Sequence, residues 1–346
     1  MSAEKSAFKL IKTQNATGHV LCHDITQIIP GVIKDARFRK GHVVTEQDIP
    51  VLLSMGKDTL YIWEKADGMV HEDEAAAHLI ALCQNLHMRP SPVKEGKIEL
   101  FAERDGLFIV DTERLNAINS LGEMMIATRH SNTAVRAGDI LLGARVIPLV
   151  ISEEALKKAQ ALAGCEPLAR LAPWKLKTTA IVSTGNEVFH SRIEDIFTPV
   201  INDKLRKHGV KVTACKVTDD NSGNIQAAIL ELRQTAPDMI LCAGGMSVDP
   251  GDQTPAAISA VCSNIITYGA PVLPGSMFML GYFEDGVPVM GLPACVMYQK
   301  PTIFDFVLPR VVAGVPFSRK DFAAMGHGGL CLRCARCRYP DCAFGK

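Results

Sequence analysis

The sequence predicts an α/β protein with a parallel sheet, preceded by α+β and β-rich regions and followed by a short cysteine-rich tail. Three observations predict it. From residue 176, short apolar runs alternate with helix-like stretches: TTAIVS before FTPVINDKLRKHG, VKVTACKV before NIQAAILELRQT, DMILCA before TPAAISAVC, and VPVMGL before ACVMYQKPTIFDFVLPRVVAG. That alternation, with short connections, is the pattern of a Rossmann-like sheet covered by helices on both faces. Each apolar run ends in a glycine-rich or polar turn, as the ligand-binding rim of such a sheet requires. Finally, four of the eleven cysteines crowd into the closing GLCLRCARCRYPDCAFGK.

Composition narrows the function classes. Lys plus Arg number 37 and Asp plus Glu 37, so the net charge is zero, bulk electrostatics do not suggest nucleic-acid binding, and no nucleic-acid partner is expected. The longest apolar candidate, ILLGARVIPLVI, is too short to span a membrane and carries Arg145, so no membrane partner is expected. The start, MSAEKSAFKLIK, has no signal-peptide apolar region, and a cytoplasmic location is expected. Seven cysteines, from Cys22 to Cys295, are scattered singly and read as small buried hydrophobes.

Four regions follow. Residues 1–65 hold two glycine-led echoes, GHVLCHDI at 18–25 and GHVVTEQDI at 41–49, then a short helix, a stop at Gly56 and a strand. Residues 66–165 read as a small α+β, β-rich module. In it, a helix over 72–90 ends before Pro90. The strands KIELFAE and GLFIVD then form a hairpin around Asp105-Gly106, and a helix covers 152–164. EPLARLAP reads as a linker to the parallel-sheet domain at 176–314. Residues 326–346 form the cysteine-rich tail.

The polar residues fall at the strand ends. Thr184-Gly185-Asn186-Glu187 follows the first strand, Thr218-Asp219-Asp220-Asn221 the second, and Gly244-Gly245-Met246-Ser247 the third, with Asp249 and Asp252 nearby; Pro293 follows the fourth. Glycines and Ser247 suit an oxyanion approached by free N–H groups. Carboxylates repel a bare anion but suit an anion with a hard cation between, such as Mg²⁺. The ligand therefore reads as a phosphorylated molecule bound with Mg²⁺. The competing reading makes Asp220 and Asn221 helix caps and Asp252 part of a helix entry.

STGNEV, VTDDN, GGMSVDPGD and GLP, in this order, resemble the molybdopterin-binding domain of molybdenum cofactor biosynthesis proteins (the MoCF/MogA-like fold). The likeness is strongest to MoeA/gephyrin-type molybdotransferases. It covers about residues 176–314 and extends weakly to 16–64. The resemblance implies binding of adenylylated molybdopterin at the rim, use of molybdate and Mg²⁺, release of AMP, and a homodimer. It places Asp252, Asp219 and Glu187 as the acids that position Mg²⁺ and the phosphoanhydride. Thr184, Gly185, Gly244, Gly245, Ser247, Asp220 and Pro293 would hold the pterin ligand. Two departures stand out. The stretch YGAPVLPGSMFMLG at 268–281 has no lysine where the family carries a lysine-containing oxyanion clamp, and Gly-Leu-Pro-Gly-Asn-Pro becomes GLPACV at 291–296. A non-catalytic carrier handing molybdopterin to a molybdoenzyme is thus the alternative to an enzyme.

Cys331, Cys334, Cys337 and Cys342 are spaced C-x2-C-x2-C-x4-C. The first three resemble a ferredoxin run, which suits an iron–sulfur cluster. Zinc and redox-sensing thiols remain open. Arg333, Arg336 and Arg338 make the tail basic and read as a solvated surface.

Overall fold

The computed structural model describes residues 8–29, 33–63, 68–190 and 197–345. The chain divides into two compact units. Met1–Glu103, Val110–Ser131 and Ala137–Arg170 form one; Arg104–Ile109, Asn132–Arg136 and Leu171–Lys346 form the other.

In the first unit, strand Phe8–Lys12 pairs antiparallel with Thr59–Trp63. The two echoes meet each other: Val20 and Val43 form an antiparallel bridge, with Leu21 N donating to His42 O at 2.9 Å and Gly41 N to Leu21 O at 2.8 Å. The short helix is Asp48–Ser54, and Gly56 follows it with a φ of 73°. Ala16, Leu21, Ile25, Phe38, Val44, Leu52 and Leu60 pack into a small core.

Three expectations for the middle of the chain need correction. The helix predicted over 72–90 is Glu72–Cys83; Met88–Pro90 is a strand. His87 takes a φ of 68°, a conformation no α-helix continues through. Met88–Pro90 pairs with Lys97–Ala102, which pairs with Ile140–Val146, which pairs with Met124–Thr128, all antiparallel. Asp105-Gly106 closes no hairpin, because Gly106–Val110 lies instead between Thr133–Val135 and Ala169–Pro173. A Cβ on Gly106 would stand 2.5 Å from Ala172 O, so this glycine admits a close neighbouring strand. The stretch read as a linker supplies that strand, with Ala169 and Leu171 buried.

The second unit holds the six-stranded sheet. Its strands are β1 (Thr178–Thr184), β2 (Lys211–Thr218), β3 (Met239–Ala243), β4 (Asn264–Tyr268), β5 (Met279–Tyr282) and β6 (Pro288–Leu292), in the order β2-β1-β3-β6-β5-β4. The four predicted strands, β1, β2, β3 and β6, are parallel. β5 and β4 extend the sheet antiparallel, with a register shift in β4 between Ile265 and Thr267. Its helices are α1 (Asn186–Phe189), α2 (Phe197–Arg206), α3 (Ser222–Arg233), α4 (Thr254–Val261), α5 (Phe304–Val312) and α6 (Arg319–Ala324).

All five residues of the central β3 are buried, and their alternation builds two cores. Met239, Leu241 and Ala243 pack with Ile201 and Leu205 of α2 and Phe304 and Val307 of α5. Ile240 and Cys242 pack with Ile225 and Ile229 of α3 and Ile258 of α4. Each large side chain so buried contributes about 1.5–3 kcal/mol. At the β2 edge Lys211 is exposed and Lys216 pairs with Glu231 of α3. Among the described residues no helix is long and apolar enough to cross a membrane.

Two polar features are set into this unit. Lys204 of α2 donates to both carboxylate oxygens of Asp305 on α5 at 2.7 Å, with the side chains only 11% and 13% exposed. Asp305 also accepts from Thr302 N at 2.8 Å. His208, after α2, packs edge-on against Trp174 at 4.9 Å, and its Nδ1 is buried with no hydrogen-bond partner among the described residues. Burial, then the Lys207 charge, push its pKa down to about 4.

Asp305→Ala strands the Lys204 ammonium and the Thr302 N–H, and should cost about 3–5 kcal/mol in urea unfolding. His208 sets a pH dependence of known sign. Its folded pKa lies below the ordinary 6.5, so the unfolded chain binds the proton more tightly. Its contribution is fully present above pH 6.5 and is lost as the pH falls toward about 4, by up to roughly 3 kcal/mol. His208→Phe keeps a ring on Trp174 and should flatten that segment of a stability–pH curve.

Candidate functional site

The loops that leave β1 and β3 are welded together. The Thr184 and Thr254 hydroxyls share a hydrogen bond at 3.2 Å, both residues being buried. Thr254 N donates to Gly245 O at 3.2 Å. Between them lie Gly244, with φ 99°, and Gly245, with φ 60°. A Cβ on Gly244 would meet Thr184 O at 2.4 Å, and one on Gly245 would meet Thr254 Oγ1 at 2.6 Å. These glycines are therefore required by protein packing, whatever ligand sits above them.

Hydrogen bonds shape the loops around this weld. Asn186 N donates to Asp220 Oδ2 at 3.0 Å, tying the β1 turn to the β2 turn. Asp219 accepts from Asn221 N at 3.1 Å and from Asn224 Nδ2 at 3.0 Å on each oxygen. Asn221 caps α3, accepting from Gly223 N and Asn224 N. Asp252 accepts from Ser247 N at 2.7 Å and closes the β3 loop on itself. Tyr268 donates to Met246 O at 3.1 Å, and burial together with the Asp252 charge raises its pKa.

The result is a cleft of about 570 Å³ at the carboxyl rim, lined by Asn186, by Asp219 to Gly223, and by Pro250, Gly251 and Gln253. The turns after β1, β2 and β3 thus do meet at one place. Of the residues singled out in the sequence, Asp219 and Asp220 line it, with Asn221, which was read as a helix cap; Asp252 is not among the lining residues. Thr184, Gly185 and Gly244 are buried beneath the rim, and Ser247 is exposed with its N–H already engaged by Asp252. Pro293 is buried at the start of the turn Ala294–Met297 and does not line the cleft. The Glu187 side chain lies outside the described ones. The cap is Asn221, with Asp219 bracing the cap from outside. Asn186, Ser222, Gly223, Pro250, Gly251 and Gln253 were not singled out as ligand contacts; only Asn186, next to the Thr-Gly turn, carried a positional signal.

Among the described residues no three His, Cys, Asp or Glu side chains stand together as a ready metal-binding group. That includes Cys331, Cys334, Cys337 and Cys342, none of which is in a disulfide.

Gly244→Ala puts a methyl against Thr184 O in a strained backbone conformation, and should cost about 3 kcal/mol or more in thermal unfolding. Gly251→Ala, on the cleft lip with nothing within 4 Å of the added methyl, should shift stability by less than about 0.5 kcal/mol.

Comparison with known proteins adds the family context. Residues 180–313 match a family model described as a "probable molybdopterin binding domain", and residues 10–64 match one described as a domain of unknown function (DUF8806). A CinA-like protein of Mycolicibacterium gilvum is 30% identical over 82 residues, 24% of this chain and 19% of that protein. A CinA-like protein of Mycobacterium avium is 29% identical over 92 residues, 27% and 21% of the two chains. This chain spans about a fifth of the length of these curated relatives. Among solved structures, the molybdopterin biosynthesis enzyme MoaB of Thermus thermophilus superposes with a TM-score of 0.35 at 20% identity, over 41% of this chain and all of that one. The Mog protein of Mycobacterium ulcerans does so with 0.33 at 18% identity, over 40% and 99%. The likeness is to the molybdopterin-binding domain and not specifically to the MoeA/gephyrin transferases.

Proposed function

With a domain of the molybdopterin-binding type at residues 180–313 as premise, we propose that this chain acts in molybdenum cofactor biosynthesis. It binds adenylylated molybdopterin in the rim cleft and exchanges AMP for molybdenum. The observation that carries this reading is that the acid- and amide-lined cleft falls inside the matched residues, at the carboxyl ends of β1, β2 and β3.

In this reading a hard cation is held by oxygens of the lining. Asp219, Asp220, the Asn186 and Asn221 amides and the Ser222 hydroxyl are all oxygen-bearing groups. Mg²⁺ is commonly held by one or two carboxylates, with phosphate oxygens and water completing its shell. When bound, it would neutralise charge on the phosphoanhydride. The chain's own part is positioning. Asp219 braces the start of α3 and Asp220 fixes Asn186. Asp252 shapes the loop that lays Pro250 to Gln253 along the cleft. In this reading Asp252 acts through its loop.

One observation favours the carrier instead. The described lining holds no Lys or Arg, so it offers a molybdate dianion no cation.

AMP release from adenylylated molybdopterin by the full chain, under anaerobic conditions and with or without molybdate and Mg²⁺, separates the two. The enzyme reading expects release that needs both, falling about 100-fold in Asp219→Ala and about 10-fold in Asp252→Asn, where the loop is loosened. Pterin that stays bound with no AMP released selects the carrier. Absence of pterin binding overturns both.

A further inference from the structure

We propose that the tail loop from Cys331 to Cys342 is a thiolate site for a thiophilic metal centre, either a single Zn²⁺ or an iron–sulfur cluster. The proposal is independent of the rim cleft and of what binds there.

The two ends of the loop are anchored. Leu273 N donates to Gly329 O and Cys331 N donates to Leu273 O, each at 2.8 Å. Gly345 N donates to Gly328 O at 3.0 Å, so the chain closes on itself. Phe344 is 5% exposed, with its ring 4.6 Å from Phe306. Tyr339 packs beside the same Phe306 and donates its hydroxyl to Asp305 O at 3.2 Å. Cys331 follows the Gly328–Gly345 contact by as many residues as Cys342 precedes it. Both are half-buried against the same core of α2 and α5. The outer two of the four cysteines thus sit next to the anchored ends of the loop.

The inner two lie on a span that nothing apolar holds. Residues 332–338 are all exposed, have no regular secondary structure, and include Leu332 at 76% exposure. Cys334 is exposed, and Cys337 is tied only by a thiol donation to Lys300 O at 3.1 Å. S–H is a weak donor, so this contact is a small cost against metal–thiolate bonds. Among the described residues no three of these thiols stand together, so binding requires the loop to rearrange, and the exposed span is its least held part. Each thiol gives its proton to solvent as it binds. Four thiolates within twelve residues select soft, thiophilic metals over Mg²⁺ or Ca²⁺. The contrast with the rest of the chain is chemical: Cys22, Cys83 and Cys242 are buried, with their thiol pKa values raised by burial.

The test uses the full chain purified anaerobically, with metal content by mass spectrometry and a visible spectrum. About one Zn²⁺ or one cluster per chain is expected. A charge-transfer spectrum with iron and acid-labile sulfide identifies the cluster; a colourless protein whose cobalt-exchanged form shows thiolate–cobalt bands identifies zinc. The double variant Cys334→Ser/Cys337→Ser alters only the exposed span and should lose metal at least about 10-fold, whereas Cys165→Ser, an exposed cysteine outside the tail, should retain it. Bound metal should also protect Arg333, Arg336 and Arg338 from trypsin, and the double variant should lose that protection. A chain that takes up no metal after reconstitution with Zn²⁺ or with iron and sulfide overturns the proposal. So does metal that the double variant retains in full.

Discussion

The contact between Thr184 and Gly244-Gly245, closed from the far side by Thr254, is the constraint on which the site depends. Two adjacent parallel strands end there, and their exit loops must turn away from each other without opening a void. The buried threonine pair and two side-chain-free residues make that possible in the space available. The β1 turn is then free to reach the β2 turn through Asn186 and Asp220, and the β3 loop is free to fold over itself through Asp252 and Ser247. The cleft is the space these loops leave between them. Its polarity follows: carboxylates and amides hold the loops in place and are the groups that remain to line the opening.

β1, β3 and β6 were legible because burial on both faces writes continuous apolar runs into the sequence, and the edge strand β2, whose exposed and half-buried residues alternate, because it falls between helical stretches. The antiparallel pair was not. β4 is half-buried along most of its length, and β5 follows a stretch broken by Pro271, Pro274 and Gly275 that carries no period. Asp105-Gly106 misled for a definite reason: a glycine beside an aspartate is a turn signal, but here its lack of a side chain serves the approach of Ala172. EPLARLAP misled because composition says linker while Ala169 and Leu171 alternate into a core. At the rim, the polar turns were legible as a group. Which of their atoms face the cleft was not, because it is decided by hydrogen bonds across loops, such as that of Asn186 to Asp220, that no spacing rule specifies.

The two units present polar chemistry differently. In the first, His71 is buried with its ring nitrogens within 2.9 Å of Lys40 Nζ and 2.7 Å of Cys22 O, and Lys40 also reaches Asp73 at 2.6 Å. Burial, more than any single charge, lowers the His71 pKa. These groups satisfy one another within the fold. At the rim of the second unit carboxylates and amides sit at an opening. Burial with full pairing reads as architecture, whereas pairing at the lip of a cavity leaves lone pairs for a guest.

The two borders of the six-stranded sheet carry a consequence for how copies of this chain coexist in solution. A bare outer strand offers a row of unused N–H and C=O groups that recruits strands from other molecules. Here one border displays Lys211 beside the Lys216–Glu231 pair, and the opposite border is interrupted between Ile265 and Thr267. With 37 positive and 37 negative side chains, no long-range repulsion keeps neighbours apart. Resistance to edge-on aggregation by this sheet therefore falls to a few residues at its margins, and neutralising Lys211 and Lys216 together would weaken it at the β2 border.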